Sequence, residues 1–437
     1  MKKILWLVNI SLPEASSLMD EPPIPFGGWL VSTSKELAAV ADVQLFIAFP
    51  KKKMKGYVSV NGEKIMYFAF ERLRKRKAGL VEKNPHLDQI LEEVNPDLVH
   101  IHGTEYLHTL AMVNLCRVRG IKTVVSIQGL LFVTAQHFYA GLPAKAIYGF
   151  TLRNFFNKDS VYFGRKSFER GGISEIEALR KVDHVIGRTT WDKANLLQIN
   201  PEINYYFCNE TLRESFYQHE WELGSCERNT IFLSQGRDSY KGLHYMVEAL
   251  PLILQRFPHT KVYVGGVDVT EIKTMKDKLL ETYYGKYIRR RIKELGLQDY
   301  FFFTGMLGER EICEKFLQSH VFLCPSSVEN SPNSLGEAMI LGAPCVASYV
   351  GGIPDMLEHG KEGFLYQADA PYMLAYYICK LFANDDIARE FSKAARIRAK
   401  ITHCRDRNMK QLLKIYHSIG ELNKNEKSFS KCSHSNI

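Results

Sequence analysis

Ser326-Ser327-Val328-Glu329-Asn330-Ser331-Pro332-Asn333-Ser334-Leu335-Gly336-Glu337-Ala338-Met339 sets two carboxylates on either side of seven residues. Upstream, the apolar run Val321-Phe322-Leu323-Cys324 has the length and bounded ends of a buried parallel strand, which Pro325-Ser326-Ser327 breaks into a loop. A helix is expected at once. Ser331 can cap it, Pro332 suits its first position, and Gly342 with Pro344 stops it. Glu329 then precedes the helix and Glu337 lies inside it, about 9 Å along the axis from the cap at ~1.5 Å per residue. A ligand touching both must pass the helix amino end, where unpaired N–H groups of Asn333 and Ser334 and the helix dipole favour phosphate. Carboxylates accept hydrogen bonds from hydroxyls, so the pattern suits a diphosphate flanked by two hydroxyl-rich groups, a ribose and a hexose. Two isolated glutamates would read more simply as a solvated acidic loop and helix face; the surrounding residues decide otherwise.

The run from Glu329 to Glu337, followed by Gly342-Ala343-Pro344-Cys345-Val346-Ala347-Ser348 and Gly351-Gly352-Ile353-Pro354-Asp355, resembles the signature of the family 4 retaining glycosyltransferases, which have the GT-B fold. Gly236-Arg237 with Lys241-Gly242 resembles the family's loop whose basic residues hold the donor diphosphate, at a spacing one residue shorter than in much of the family. Phe303-Thr304-Gly305 resembles its strand and glycine turn near the nucleobase. The resemblance implies that Glu329 contacts donor-sugar hydroxyls, Glu337 the ribose, and Lys241 and Arg237 the diphosphate. Gly236 and the loop residues Asn330, Ser331, Asn333 and Ser334 complete the implied donor site. These motifs cover most of residues 229–370.

A chain of 437 residues exceeds one ordinary core and fits two domains. Strand and helix patterns alternate in two series, so the expected fold is α/β, two Rossmann-like doubly wound domains facing a cleft. Strands are predicted at 4–8, 43–49, 64–70, 98–102, 123–128 and 184–187, then at 230–234, 261–264, 300–303, 321–324 and 345–347. Residues 1–215 form the acceptor-side domain and 226–400 the nucleotide-sugar domain, with a linker over 209–228. A final helix at about 405–421 packs back on the first domain, and 423–437 reads as a disordered tail. The net charge of +9 favours anionic partners without choosing among them. Nine cysteines with no Cys-x-x-Cys pair suggest scattered thiols and a reducing cytoplasm. The opening Met1-Lys2-Lys3 and the short apolar run after it, interrupted at Asn9, read as a first buried strand rather than a signal peptide, and no run reaches the ~20 apolar residues of a membrane span.

In the first series, Gly27 and Gly28 follow a strand and open a helix, and resemble the family loop that faces donor phosphate and acceptor. His100 and His102 share a strand face by alternation; the resemblance turns the end of this strand toward the cleft and makes His102 the candidate catalytic residue, against a core role bonded to backbone. Where many relatives carry a cleft histidine that touches the donor sugar, this chain has Gln128, which can bond a hydroxyl but carries no charge. Basic residues crowd 51–77, and aromatic and basic residues mix over 130–168, a composition suited to an anionic membrane surface or to an ordinary solvated face.

The function expected is a retaining glycosyltransferase moving a sugar from a nucleoside diphosphate to a carbohydrate or polyprenyl-linked acceptor in surface polysaccharide assembly. The site would be cytoplasmic or peripheral at the membrane, with no cofactor and no metal, since no Asp-x-Asp motif is apparent and basic residues can stabilise the leaving group. Nucleic acid is not an expected partner, because the carboxylate pair would go unexplained. Two rivals remain: a GT-B sugar-nucleotide epimerase, which needs its own acid and base and no acceptor, and a non-catalytic basic binding protein, indifferent to loss of Glu329 and Glu337.

Overall fold

The structure is a computed structural model that describes residues 1–22, 27–73, 84–272, 274–275, 279 and 281–429, with backbone alone for 152, 155 and 421–429. Fourteen strands among these residues form two sheets. The first contains β1 (Lys2–Leu7), β2 (Val43–Lys51), β3 (Tyr57–Asn61), β4 (Met66–Glu71), β5 (Leu98–His102), β6 (Lys122–Ser126), β7 (His184–Gly187) and β8 (Asn204–Phe207), in the order β3-β4-β2-β1-β5-β6-β7-β8. All pair in parallel except β3, which folds back antiparallel on β4. The second contains β9 (Glu227–Leu233), β10 (Lys261–Val264), β11 (Phe301–Phe303), β12 (Ser319–Cys324), β13 (Cys345–Ser348) and β14 (Gly363–Tyr366), all parallel, in the order β11-β10-β9-β12-β13-β14.

In each sheet the strand order reverses beside the first strand, between β1 and β5 and between β9 and β12. The crevice outside the carboxyl ends of strands at such a switch point is where open α/β sheets receive ligands. The loops after β1, β9 and β12 therefore carry the positions that matter: Gly27 and Gly28, Arg237 and Lys241, and Glu329.

Several expectations are corrected. The edge strands β3, β8 and β14 fall outside the predicted set, being short or, for β3 and β8, only half-buried, so that apolar periodicity is weak there. The segment read as a linker over 209–228 holds a short helix, Glu214–Gln218, and the buried Trp221, whose Nε1–H donates to the Ser319 carbonyl at 2.8 Å. The last helix, Arg405–Phe429, runs through 423–429, where a disordered tail was expected; residues 430–437 lie outside the described residues. Neither Gly nor Pro interrupts that stretch. This helix buries Leu412, Ile415, Tyr416 and Ile419 against β1 and β2 of the first sheet. The Tyr416 hydroxyl accepts from Trp6 Nε1 at 2.9 Å and bonds His100 Nδ1 at 2.6 Å.

The aromatic segment after Leu130 is mostly not a surface. Phe138, Leu142, Ala146, Ile147 and Val161 join the core of the second sheet. The Ala140 carbonyl accepts from Tyr245 Oη at 2.6 Å, and the Phe138 carbonyl from Ser239 Oγ at 2.7 Å. Tyr148, Phe150 and Phe156 stay exposed, at 56%, 49% and 77%. No described helix is long and apolar enough to cross a membrane.

Candidate functional site

The helix after β12 begins one residue later than expected. It spans Asn333–Leu341, with Pro332 at the cap position in extended geometry, so Ser331 is buried beneath the turn and does not cap it. The Pro332 carbonyl receives the N–H groups of Leu335 and Gly336, leaving the amides of Asn333 and Ser334 at the free amino end. Gly342, at φ 85°, closes the helix in the left-handed conformation that costs glycine least.

Two cavities flank this turn. The larger, about 950 Å³, is lined by Glu105, Gln128, Tyr240, Lys241, Glu329 and Asn330. The smaller, about 430 Å³, is lined by Gly27, Gly28, Arg213, Arg237, Ser334 and Glu337, with Asn333 at its edge. The carboxylates thus face different spaces, and the helix amino end stands between them.

Each carboxylate is held by a cation. Glu329 Oε1 accepts from Lys241 Nζ at 2.6 Å and from Ser326 Oγ at 2.7 Å. Burial alone would lower the Lys241 pKa; the Glu329 carboxylate and the Tyr240 side chain more than offset this and raise it, so the ammonium stays charged. Glu337 receives a fork from Arg213, Nε to Oε1 and Nη2 to Oε2, both 2.7 Å. Burial pushes the Glu337 carboxyl up and the guanidinium opposes the rise.

Glycines shape both grips. A Cβ on Gly351 would lie 1.8 Å from the Glu329 carbonyl oxygen, at φ 52°, and one on Gly352 would lie 2.3 Å from that of Asn330. The pair therefore lets the 349–352 turn press on the Glu329 loop, with Gly352 N–H donating to the Glu329 carbonyl at 3.1 Å. On Gly28, a Cβ would meet Arg213 Cγ at 2.4 Å, so the bare glycine seats the arginine that holds Glu337. Gly236 is buried against Val264 and Leu243 and acts through packing.

Between the carboxylates, the first sheet reaches across. Thr189 Oγ1 donates to Asn330 Oδ1 at 2.7 Å, while Asn330 Nδ2 is buried with no partner among the described residues. Arg188 forms a buried pair with Glu210 at 2.7 Å, their side chains 5% and 12% exposed, and Asn333 bonds both. Gln128 Nε2 donates to Glu210 Oε1 at 2.6 Å, which fixes Gln128 in the larger cavity.

His102 is the candidate that the structure does not bring to the two carboxylates. It lines neither large cavity; its ring packs against Trp6, Trp29 and His100 with centroids 4.5, 5.5 and 3.9 Å away, and neither nitrogen has a partner among the described residues. Burial, with His100 alongside, pushes its pKa well below the ordinary value, so the ring is neutral. Sequence reading missed Arg213, Arg188 and Glu210. Arg188 directly follows β7 and so stood at a strand's carboxyl end, a usable signal; Arg213 and Glu210 sat in the presumed linker, where nothing singled them out.

Residues 217–398 match the family described as glycosyl transferases group 1. Among curated relatives, N-acetyl-alpha-D-glucosaminyl L-malate synthase of Bacillus anthracis is 25% identical over 264 residues, 59% of this chain and 64% of that protein. Spore coat protein SA of Bacillus subtilis (strain 168) is 26% identical over 200 residues, 45% and 50% of the two chains. The match thus spans about half to under two thirds of the length of these relatives. Among solved structures, sucrose-phosphate synthase from Thermosynechococcus elongatus superposes with a TM-score of 0.69 at 16% identity, covering 96% of this chain and 99% of that one. Anabaena Alr3699/HepE, solved in complex with UDP-glucose, gives 0.66 at 16% identity, covering 96% and 100%. The two-sheet architecture is the GT-B fold.

Proposed function

We propose that this chain, a GT-B fold whose residues 217–398 form a group 1 glycosyltransferase domain, transfers a hexose from a nucleoside diphosphate sugar to a hydroxyl of a saccharide acceptor, with retention at the anomeric carbon. The observation that carries this reading is the division of labour around one helix amino end: Glu337 with Arg213 in one cavity, Glu329 with Lys241 in the other. A donor laid across the turn puts its ribose on Glu337, its diphosphate on the Asn333 and Ser334 amides, and its sugar beside Glu329. UDP is the first nucleotide to test, since neighbouring folds are solved with it.

In the reaction, the bond from the anomeric carbon to the β-phosphate oxygen breaks and a bond to the acceptor oxygen forms on the same face. The departing phosphate oxygen takes the acceptor's proton, so no side chain is assigned as general base. Negative charge grows on the leaving diphosphate. Lys241, Arg237 and the helix amides are the groups assigned to meet it in place of a divalent ion, and one such donor is worth about 3 kcal/mol in a transition state. Gln128 and the unpartnered Asn330 amide offer hydrogen bonds to sugar hydroxyls. His102 has no part in this reading. A role in surface polysaccharide assembly, at the inner face of a membrane, extends the proposal; exposed Tyr148, Phe150 and Phe156 beside Lys145 and Lys158 support it.

The test is incubation with UDP-hexoses, with and without saccharide acceptors. Acceptor-dependent release of UDP with an α-linked product from an α-linked donor is expected. Epimerised nucleotide sugar without acceptor, or no nucleotide binding at all, would overturn the reading.

A further inference from the structure

The larger cavity carries more positive charge than the donor reading uses. Lys52, Lys53 and Arg72, from the loops after β2 and β4 of the first sheet, line it together with the Lys241–Glu329 pair of the second. The adjacent Lys51 is taken up by Glu21 at 2.8 Å. Among the described residues, no carboxylate pairs with Lys52, Lys53 or Arg72; Arg72 lies over the Tyr106 ring, 5.4 Å from its centroid. Lys53 also holds φ 61°, a left-handed conformation uncommon for a residue with a side chain.

The other titratable groups facing this space do not cancel the charge. Lys241 and Glu329 neutralise each other. Burial pushes the His108 ring down to about 3, which leaves it neutral. Among the described residues lining it, Glu105 is the one further carboxyl, and burial pushes it up to about 7, toward its uncharged form. Three free cations therefore border a cavity that the sugar of the donor only partly fills. The donor's own phosphates are assigned elsewhere, at the Asn333 amino end.

We propose that Lys52, Lys53 and Arg72 form an anion subsite for the acceptor, so that the acceptor carries a phosphate away from its reacting hydroxyl. The inference rests on the transferase reading and adds the acceptor's chemical class to it. A phosphorylated free sugar and a sugar linked through phosphate to a lipid present the same chemistry.

The test uses the full chain with its donor side filled by saturating UDP, titrated calorimetrically with inorganic phosphate. Wild type should bind phosphate, and Arg72→Gln and the double variant Lys52→Ala/Lys53→Ala should each bind it at least tenfold more weakly, with UDP affinity unchanged. In parallel, transfer to glucose, to glucose 6-phosphate and to a short-chain polyprenyl diphosphate glucose is compared. One of the two anionic acceptors should exceed glucose at least tenfold in kcat/KM, the preference should vanish in the variants, and the better of the two identifies the source. Absence of phosphate binding in wild type, variants that bind it as wild type does, or a preference for glucose would overturn the subsite. Those results leave the transferase reading standing, which fails instead if UDP itself does not bind.

Discussion

At the scale of single residues, three cations around the helix turn, Lys241, Arg213 and Arg188, are each already paired with a carboxylate. Lys241 is charged and bonded to Glu329, their side chains 15% and 11% exposed, so under the proposed function its removal does two things: it withdraws a donor from the leaving phosphate and strands a carboxylate with little access to water. Lys241→Ala should lower turnover at least tenfold in protein that still gives a cooperative melt; turnover near wild type would remove Lys241 from the site. A buried carboxyl sets a pH response. Glu175 accepts from Thr104 Oγ1 and from Phe132 N–H, and burial pushes it up to about 7. Between about 4.5 and 7 the folded state then holds a proton that the unfolded state has released, so stability falls as pH rises through that window. Glu175→Gln should flatten the fall by up to about 3 kcal/mol. Glu105, raised likewise, leaves a residual slope. Chemical denaturation of both proteins at pH 5 and pH 8 measures the difference; parallel slopes would contradict the assignment.

At the scale of elements, the interior strands were legible because burial on both faces writes an unbroken apolar run. β12 is buried at every residue and carries the unbroken run Val321-Phe322-Leu323-Cys324, whereas half-buried β3 and β8 left no such mark. The carboxylate pair was legible from its place around a helix start. Its partners were not: Arg213 and Glu210 meet the site only through tertiary packing, and no local period marks them. His102 misled for a related reason, since alternation puts it on a face with His100 but cannot say whether that face meets the cleft or the aromatic core. The glycine turn after β13 is readable and testable. Gly351 and Gly360 both have positive φ, 52° and 78°, but only Gly351 would press a Cβ on the Glu329 carbonyl, whereas Gly360 has open space. Gly351→Ala should therefore lose more stability than Gly360→Ala, which carries the backbone strain of about 1–2 kcal/mol alone. It should also lose turnover, while Gly360→Ala keeps it. Equal effects in melting and activity assays would mean that the turn does not position Glu329.

At the scale of the molecule, two sheets are tied by a crossing helix, by the 130–168 segment, and by polar contacts from Thr189, Arg188 and Glu210 to the Asn330–Asn333 turn. If the exposed Tyr148, Phe150 and Phe156 with Lys145 and Lys158 dock the protein on lipid, it should sediment with anionic but not neutral vesicles and be released by salt. Equal sedimentation with both, or with neither, would count against electrostatic docking. The central claim is that one donor bridges the two cavities across the helix amino end. Glu337 then grips a ribose that does not change during reaction, and Glu329 a sugar ring that gains positive charge as its bond breaks. Calorimetric titration of Glu337→Gln and Glu329→Gln with free UDP, beside steady-state turnover with the intact donor, tests this most directly. Glu337→Gln should lose UDP affinity at least tenfold, and Glu329→Gln should keep it within about twofold while kcat falls at least tenfold. Loss of UDP affinity in Glu329→Gln as severe as in Glu337→Gln would contradict the assignment of one carboxylate to each end of the donor.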